Sequence, residues 1–308
     1  MTQASDTRPA ASSAELNRQP DSSRSAARIA LILATYLALA TGAIYAARAG
    51  GALLLATMPL VLGCSFILSG FLNAAHDCVH ATQFDRRVHN RVAGALWCTP
   101  ILIVFTIYQR QHMVHHRYTG VPGDSEGHAN YSNLTDYCLN QAGLNYWRAL
   151  VQRLGLSLRG QFPDSVRSPR QQGAARLECA AIMTWLGLCF VLTWLWPLEL
   201  MFGYWLGLLV YPAFAMLFGL PEHYGLALSG QPWPKARNVR SNVLVRFFQW
   251  NANYHAFHHR HPAVPGTKLA AAPCTADFAA DPCEPGYLRF HRRVIANIGA
   301  LQPPHIKG

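Results

Sequence analysis

Charge is what this chain most lacks: Asp, Glu, Lys and Arg make up 13% of its 308 residues, about half the share usual in a soluble domain. With 51% hydrophobic residues, surfaces so poor in charge do not face water, and an ordinary soluble domain is excluded. Disorder over most of the chain is excluded too. Lysine is nearly absent, standing only at positions 235, 268 and 307, so the formal net charge of +11 is an arginine charge. No basic stripe with interleaved aromatics accompanies it, which argues against nucleic acid as a partner. Eight cysteines include no CxxC pair and no zinc-ribbon or ferredoxin spacing, and structural disulfides are not expected. Acids are scarce as well, 15 against 14 histidines. The placement of those histidines therefore decides the chemistry.

Residues 1–28 are rich in Ser, Ala, Pro, Gln and Arg and poor in bulky apolar side chains, so a disordered tail is expected there. Ile29–Ala47 is an uncharged run of 19 residues, about 28 Å long as a helix and close to the ~30 Å hydrocarbon core of a bilayer. Ala52–Leu72, Cys179–Trp196 and Leu200–Leu220 are further runs of this kind. Short turns, one with Arg48, Gly50 and Gly51 and one with Pro197 and Glu199, predict two helical hairpins. Arg8, Arg18, Arg24 and Arg28 precede the first run, and Arg86, Arg87, Arg91, Arg110, Arg117, Arg148 and Arg153 lie between the hairpins, whereas the two turns share one arginine. The positive-inside rule then places both termini and the central segment in the cytoplasm. The expected fold is an all-α integral membrane protein: four transmembrane helices in two hairpins with a cytoplasmic helical cap carrying the histidines. Its expected setting is a bacterial cytoplasmic membrane.

A fifth apolar stretch, Val92–Tyr108, has 17 residues, contains Thr99-Pro100 and has histidine clusters beyond both ends. A crossing would put those clusters on opposite faces, so a re-entrant or interface-lying segment is expected. Trp185, Trp194, Trp196 and Trp205 read as interface anchors. Beyond the membrane domain, at 29–262, residues 263–308 read as a cytoplasmic tail with an amphipathic helix around Tyr287–Val294.

Three histidine clusters lie just past these runs. His76 and His80 are four apart, on one face of a helix. His112-Met113-Val114-His115-His116 and His255-Ala256-Phe257-His258-His259 are both HxxHH. Positions i, i+3 and i+4 bracket one helix face while neighbours diverge by about 100°, so His115 and His116 reach toward different ions and a two-metal site is predicted. Eight unliganded imidazoles would each need their own partners, which disfavours packing as the reason for them. Imidazole suits Fe, Zn, Cu or Ni by donor type. Eight neutral ligands on two six-coordinate ions leave positions open, which fits iron binding O2 better than a closed structural zinc site.

His223, at the end of the fourth run, is a ninth candidate, the other reading being an interface histidine paired with Glu222. Asp77 is placed either to orient His76 through its second N–H or to cap a helix; Asn251, Asn253 and Asp124 are further candidates for orienting ligands. His261 is expected just outside the site, and His89, His128, His291 and His305 at the surface. No histidine lies inside a run, which argues against a midplane transport site and a bis-histidine haem.

His76-Asp77-Cys78-Val79-His80 with Phe84 following, His115-His116-Arg117-Tyr118-Thr119 leading into Pro122-Gly123-Asp124, and Asn253-Tyr254-His255-Ala256-Phe257-His258-His259 resemble the histidine boxes of the membrane fatty acid desaturase superfamily. The resemblance covers roughly residues 30–262. It implies a non-haem di-iron centre that activates O2 and abstracts hydrogen from an unactivated C–H bond. Its ligands would be His76, His80, His112, His115, His116, His255, His258 and His259, with His223 matching the extra histidine before the third box. The implied reaction introduces a double bond into a fatty acyl or similar aliphatic chain.

Two departures bear on that implication. Gly219 stands four before His223 where acyl-CoA desaturases have Asn. Glu222-His223-Tyr224-Gly225 also looks like a segment of alkane-hydroxylase-type members, which keeps open a di-iron hydroxylase or ketolase of an alkane, carotenoid or fatty chain. The chain has no HPGG, ferredoxin cysteine pattern or GxGxxG, so electrons are expected from an external ferredoxin, cytochrome b5 or reductase. An arginine-rich face would steer an acidic carrier toward the metals.

Overall fold

The computed structural model describes residues 17–126, 131–226 and 235–298, and these residues are mostly helical. Strand among them is confined to β1 (Asn238–Val239) and β2 (Cys283–Glu284), paired in parallel with Asn238 opposite Cys283. Among the described residues four helices are long and apolar enough to cross a membrane.

The first is α1 (Ser22–Ala49), which packs along α2 (Leu54–Val79). Here the structure corrects the tail expected at 1–28, because α1 begins at Ser22 and not at Ile29. Asp21 caps it by accepting from the Arg24 N–H (2.9 Å), and Ser22 Oγ donates to Asp85 (2.7 Å). Arg28 is buried, donating to the carbonyls of Arg246 (2.8 Å) and Phe247 with the Trp250 ring 4.5 Å away. These partners are remote in sequence, so no local composition reveals them. Residues 1–16 lie outside the described residues, as do His128 and His305.

Next come α3 (Arg87–Cys98) and α4 (Phe105–Tyr118), whose helical pair is bent by 105°. Pro100 opens a 3-10 turn, and Leu102 at φ 62° turns the chain back. Gly94 keeps the elbow tight, since a Cβ there would lie 2.3 Å from the Phe105 ring. Glu178 accepts from both N and Oγ1 of Thr106 at 2.7 Å, a carboxylate placed where the first turn of α4 presents bare N–H groups.

The helices α5 (Leu134–Gln141) and α6 (Leu144–Leu158) lead to α7 (Pro169–Leu195), whose start is a capping box of Ser168 and Gln171. The last long helix, Pro197–His223, is built of α8 (Pro197–Leu200), a π-helical stretch over Met201–Trp205, and α9 (Leu206–His223). The core lies where α2 meets α1, α3 and α9. Arg48 and Glu199 form an ion pair that brings the two short connections together. Trp185 donates to Tyr204 Oη (2.8 Å) and Trp205 to Thr193 Oγ1 (2.7 Å), so these two tryptophans pin helices to each other. Trp194 and Trp196 remain exposed.

Short helices α10 (Val243–Phe248), α11 (His255–Arg260) and α12 (Ala276–Ala280) follow, then α13 (Tyr287–Ala296). The amphipathic α13 buries Phe290, His291 and Val294 and packs on α9. His291, read from sequence as a surface residue, is 6% exposed. Its Nε2 faces the Leu217 carbonyl (2.9 Å) and its Nδ1 the Tyr137 hydroxyl (2.8 Å).

Candidate metal centre

Four helix ends deliver the histidines. His76 sits in the last turn of α2 and His80 is its C-cap residue; α4 carries His112, His115 and His116. His223 ends α9, and α11 supplies His255, His258 and His259. The amide N–H of Phe257, in the first turn of α11, donates to Asn238 Oδ1 (3.2 Å). The clusters on either side of the bent α3–α4 pair meet at one place, as expected of a segment that doubles back.

The imidazoles sort into two groups. His76, His80, His112, His116 and His258 form one; His115, His223, His255 and His259 form the other, and within each group one ligand atom per residue lies within 4.8 Å of every other. Helix geometry explains the sorting: adjacent residues in HxxHH point about 100° apart, so His115 and His116 part company, as do His258 and His259. In the first group Nε2 of His112 is 2.9 Å from Nε2 of both His76 and His116, and His116 is 3.2 Å from His258. In the second, His223 Nε2 is 2.8 Å from His255 and 3.2 Å from His115, and His255 is 3.0 Å from His259.

The Nδ1 atoms meet other partners. His112 Nδ1 is 2.8 Å from Glu126, and His115 Nδ1 is 2.8 Å from Asp124. His223 Nδ1 donates to the Lys235 carbonyl (2.7 Å), and His255 Nδ1 lies 3.5 Å from Glu222. A carbonyl or an ionised carboxylate only accepts, so in His112, His115 and His223 the proton is on Nδ1 and Nε2 presents a lone pair. Facing lone pairs at such distances repel. Placing protons between them would create buried cations, and burial together with the neighbouring imidazoles pushes His80, His255, His258 and His259 well below the ordinary histidine range. Nε2 of His80 is buried with no hydrogen-bond partner. Converging lone pairs backed by Nδ1 acceptors are what metal ions require, and the residues fit two of them.

Four residues that the sequence placed beside the ligands act elsewhere or differently. Asp77 accepts from the Gly266 N–H (3.2 Å), with Arg28 acting on it electrostatically, and does not orient His76. A Cβ at Gly266 would fall 2.4 Å from the Asp77 carboxylate, so the contact needs glycine. Asn253 donates to the Val239 carbonyl (3.0 Å) and Asn251 to that of Gly266 (2.6 Å), which shapes the approach to α11 without touching a histidine. Glu222 stands by His255, not by its neighbour His223. His261 packs on Phe257, outside both groups. Sequence reasoning missed Glu126; its signal was an acid two residues after Asp124 and ten after the second box, in an acid-poor chain.

A cavity of about 640 Å³ opens beside the groups, lined by His76, His112, His115, His223 and His255 and continuing along apolar side chains such as Leu72, Leu102, Val104, Leu150 and Ala215. Gly219 lines it one turn from His223 and leaves open space, a Cβ there meeting nothing within 4 Å.

Known proteins carry related sequences. A sphingolipid delta(4)-desaturase DES1-like protein of Arabidopsis thaliana is 25% identical over 217 residues, which cover 68% of this chain and 61% of the plant protein. A fatty acid desaturase of Bacillus subtilis (strain 168) is 24% identical over 253 residues, covering 69% of this chain and 67% of the bacterial one. The chain thus spans about three fifths of the length of the plant relative. The family model for fatty acid desaturase matches residues 50–275, from the start of the second long helix to beyond α11, and on that match the chain belongs to the fatty acid desaturase family.

Proposed function

We propose that the protein is a membrane-bound, O2-dependent di-iron desaturase that introduces a double bond into a fatty acyl or similar aliphatic chain. The observation that carries this is the pair of histidine groups facing one largely apolar cavity. Iron bound there would supply the O2 chemistry that breaks unactivated C–H bonds. Everything else falls to the chain. The five imidazoles of the first group would hold one ion and the four of the second, His223 among them, the other. Asp124 and Glu126 orient His115 and His112 through Nδ1 and raise their basicity, and Glu222 stands 3.5 Å from His255 Nδ1. The cavity strips water from an alkyl segment and holds its methylene groups beside His76, His112 and His255. Two hydrogens leave the chain and, with two electrons and two protons from outside, reduce O2 to two waters. An external ferredoxin, cytochrome b5 or reductase supplies the electrons.

The four long helices are two hairpins with the histidine-bearing helices capping them on the cytoplasmic side. The Arg48–Glu199 pair supports this, since it gathers both short connections at one end, and arginines concentrate in the other segments. The decisive experiment is expression in a lipid-producing host, metal analysis of the purified protein and mass spectrometry of the lipids. About two irons per chain and products lacking two hydrogens are expected; products gaining one oxygen would make it a hydroxylase, and stoichiometric zinc with full activity would overturn the di-iron reading.

A further inference from the structure

Helix α6 has two apolar faces. Tyr146, Ala149, Leu150 and Leu154 line the cavity, at spacings that put them on one side of the helix. Leu144, Val151 and Leu158, seven apart, make a second stripe that is 53%, 63% and 50% exposed. Arg153 belongs to the first face: it follows Leu150 by three residues and lines the cavity with it. Among the described residues Arg153 has no ion pair or side-chain hydrogen bond. Tyr146 and Glu126 act on it electrostatically, and Glu126 is itself engaged by His112. Arg153 is exposed as well as cavity-lining, so its guanidinium stands where the cavity opens to the surface, within reach of an anionic head.

We propose that Arg153 anchors the anionic head of the substrate, a carboxylate or a phosphate, at the mouth of the cavity. The proposal rests on reading that cavity as the substrate site. With Leu144, Val151 and Leu158 turned to lipid, α6 lies in the plane of the membrane surface and carries Arg153 at the level of headgroups. Its planar fork pairs bidentately with either anion, and the anchored head sets which carbons of the tail reach the histidines. A neutral alkane or alcohol leaves the guanidinium unpaired, so the same residue discriminates against such chains.

The test is equilibrium binding to the purified full-length protein in detergent, without turnover, using hexadecanoate, hexadecyl phosphate and hexadecan-1-ol. Arg153→Gln is expected to weaken at least one anionic probe about tenfold or more and to leave hexadecanol unchanged, with Arg153→Lys recovering part of the loss. A larger effect on hexadecanoate identifies a carboxylate head, and a larger effect on hexadecyl phosphate a phosphate. No loss for either anion, or equal loss for all three probes, overturns the proposal. Metal content and helical circular dichroism confirm that each variant folds. Because binding is read without catalysis, a missing product with binding intact counts against the reaction and not against Arg153.

Discussion

Two buried histidine environments in this molecule use the ring in opposite senses. His291 has both nitrogens satisfied by protein, Nε2–H donating to the Leu217 carbonyl and Nδ1 accepting from Tyr137. It is a pin between α13, α5 and α9. At the paired groups the proton sits on Nδ1, facing Asp124, Glu126 or the Lys235 carbonyl, and Nε2 points at other Nε2 atoms. Burial does not separate the two environments, since His291 and His255 are both 6% exposed. What separates them is whether the chain leaves a lone pair unanswered.

The largest effect expected from that difference is at the ligands. His115→Ala and His258→Ala, one from each group, should lower product formation more than about 100-fold, beyond what loss of an orienting partner costs, and drop the metal below stoichiometric. Both variants should remain in the membrane fraction. Removing only the Nδ1 acceptor sharpens the comparison: Asp124→Asn and Glu126→Gln should each cost about 10–100-fold in activity or metal affinity, measured by turnover and by chelator competition.

Acid offers a graded version. His80, His255, His258 and His259 have depressed pKa values when folded, while in the unfolded chain they titrate near about 6.5. The unfolded state therefore binds more protons below that pH, and stability and metal retention should both fall as the pH drops through about 6.5 and below. Metal content and thermal unfolding measured between pH 8 and pH 5 check this; a flat response would mean that the imidazoles do not stay neutral. The smallest effect is expected at the pin. His291→Phe should leave metal content and activity unchanged and cost about 1–3 kcal/mol of stability through the orphaned Leu217 carbonyl and Tyr137 hydroxyl. If it strips the metal instead, the lone-pair criterion fails.

Much of the site was legible because it is local. HxxHH on a helix forces adjacent rings apart, and the sorting of His115 from His116 and of His258 from His259 follows from that angle alone. Apolar run length likewise located the four long helices, though not their ends, because Ser22–Arg28 joins α1 through contacts with Asp85, Arg246 and Phe247 far along the chain. Asp77 misled for the same reason: adjacency to His76 suggested a bond, while its carboxylate meets Gly266 from a distant loop. A buried His291 could not be told from an exposed one, since both its partners come from other helices.

The sequence by itself determined that the chain carries four runs long and apolar enough to cross a membrane and that its box histidines would sort into two groups. Composition, run length and helical periodicity are properties of neighbouring residues, and they survive any packing. Only the tertiary structure decided which acceptors face Nδ1 of His112, His115 and His223, that His223 joins the second group, and that Arg153 lines the cavity with no side-chain hydrogen bond or ion pair among the described residues. Those outcomes depend on which helix ends are brought within hydrogen-bond reach, and no spacing along the chain encodes that.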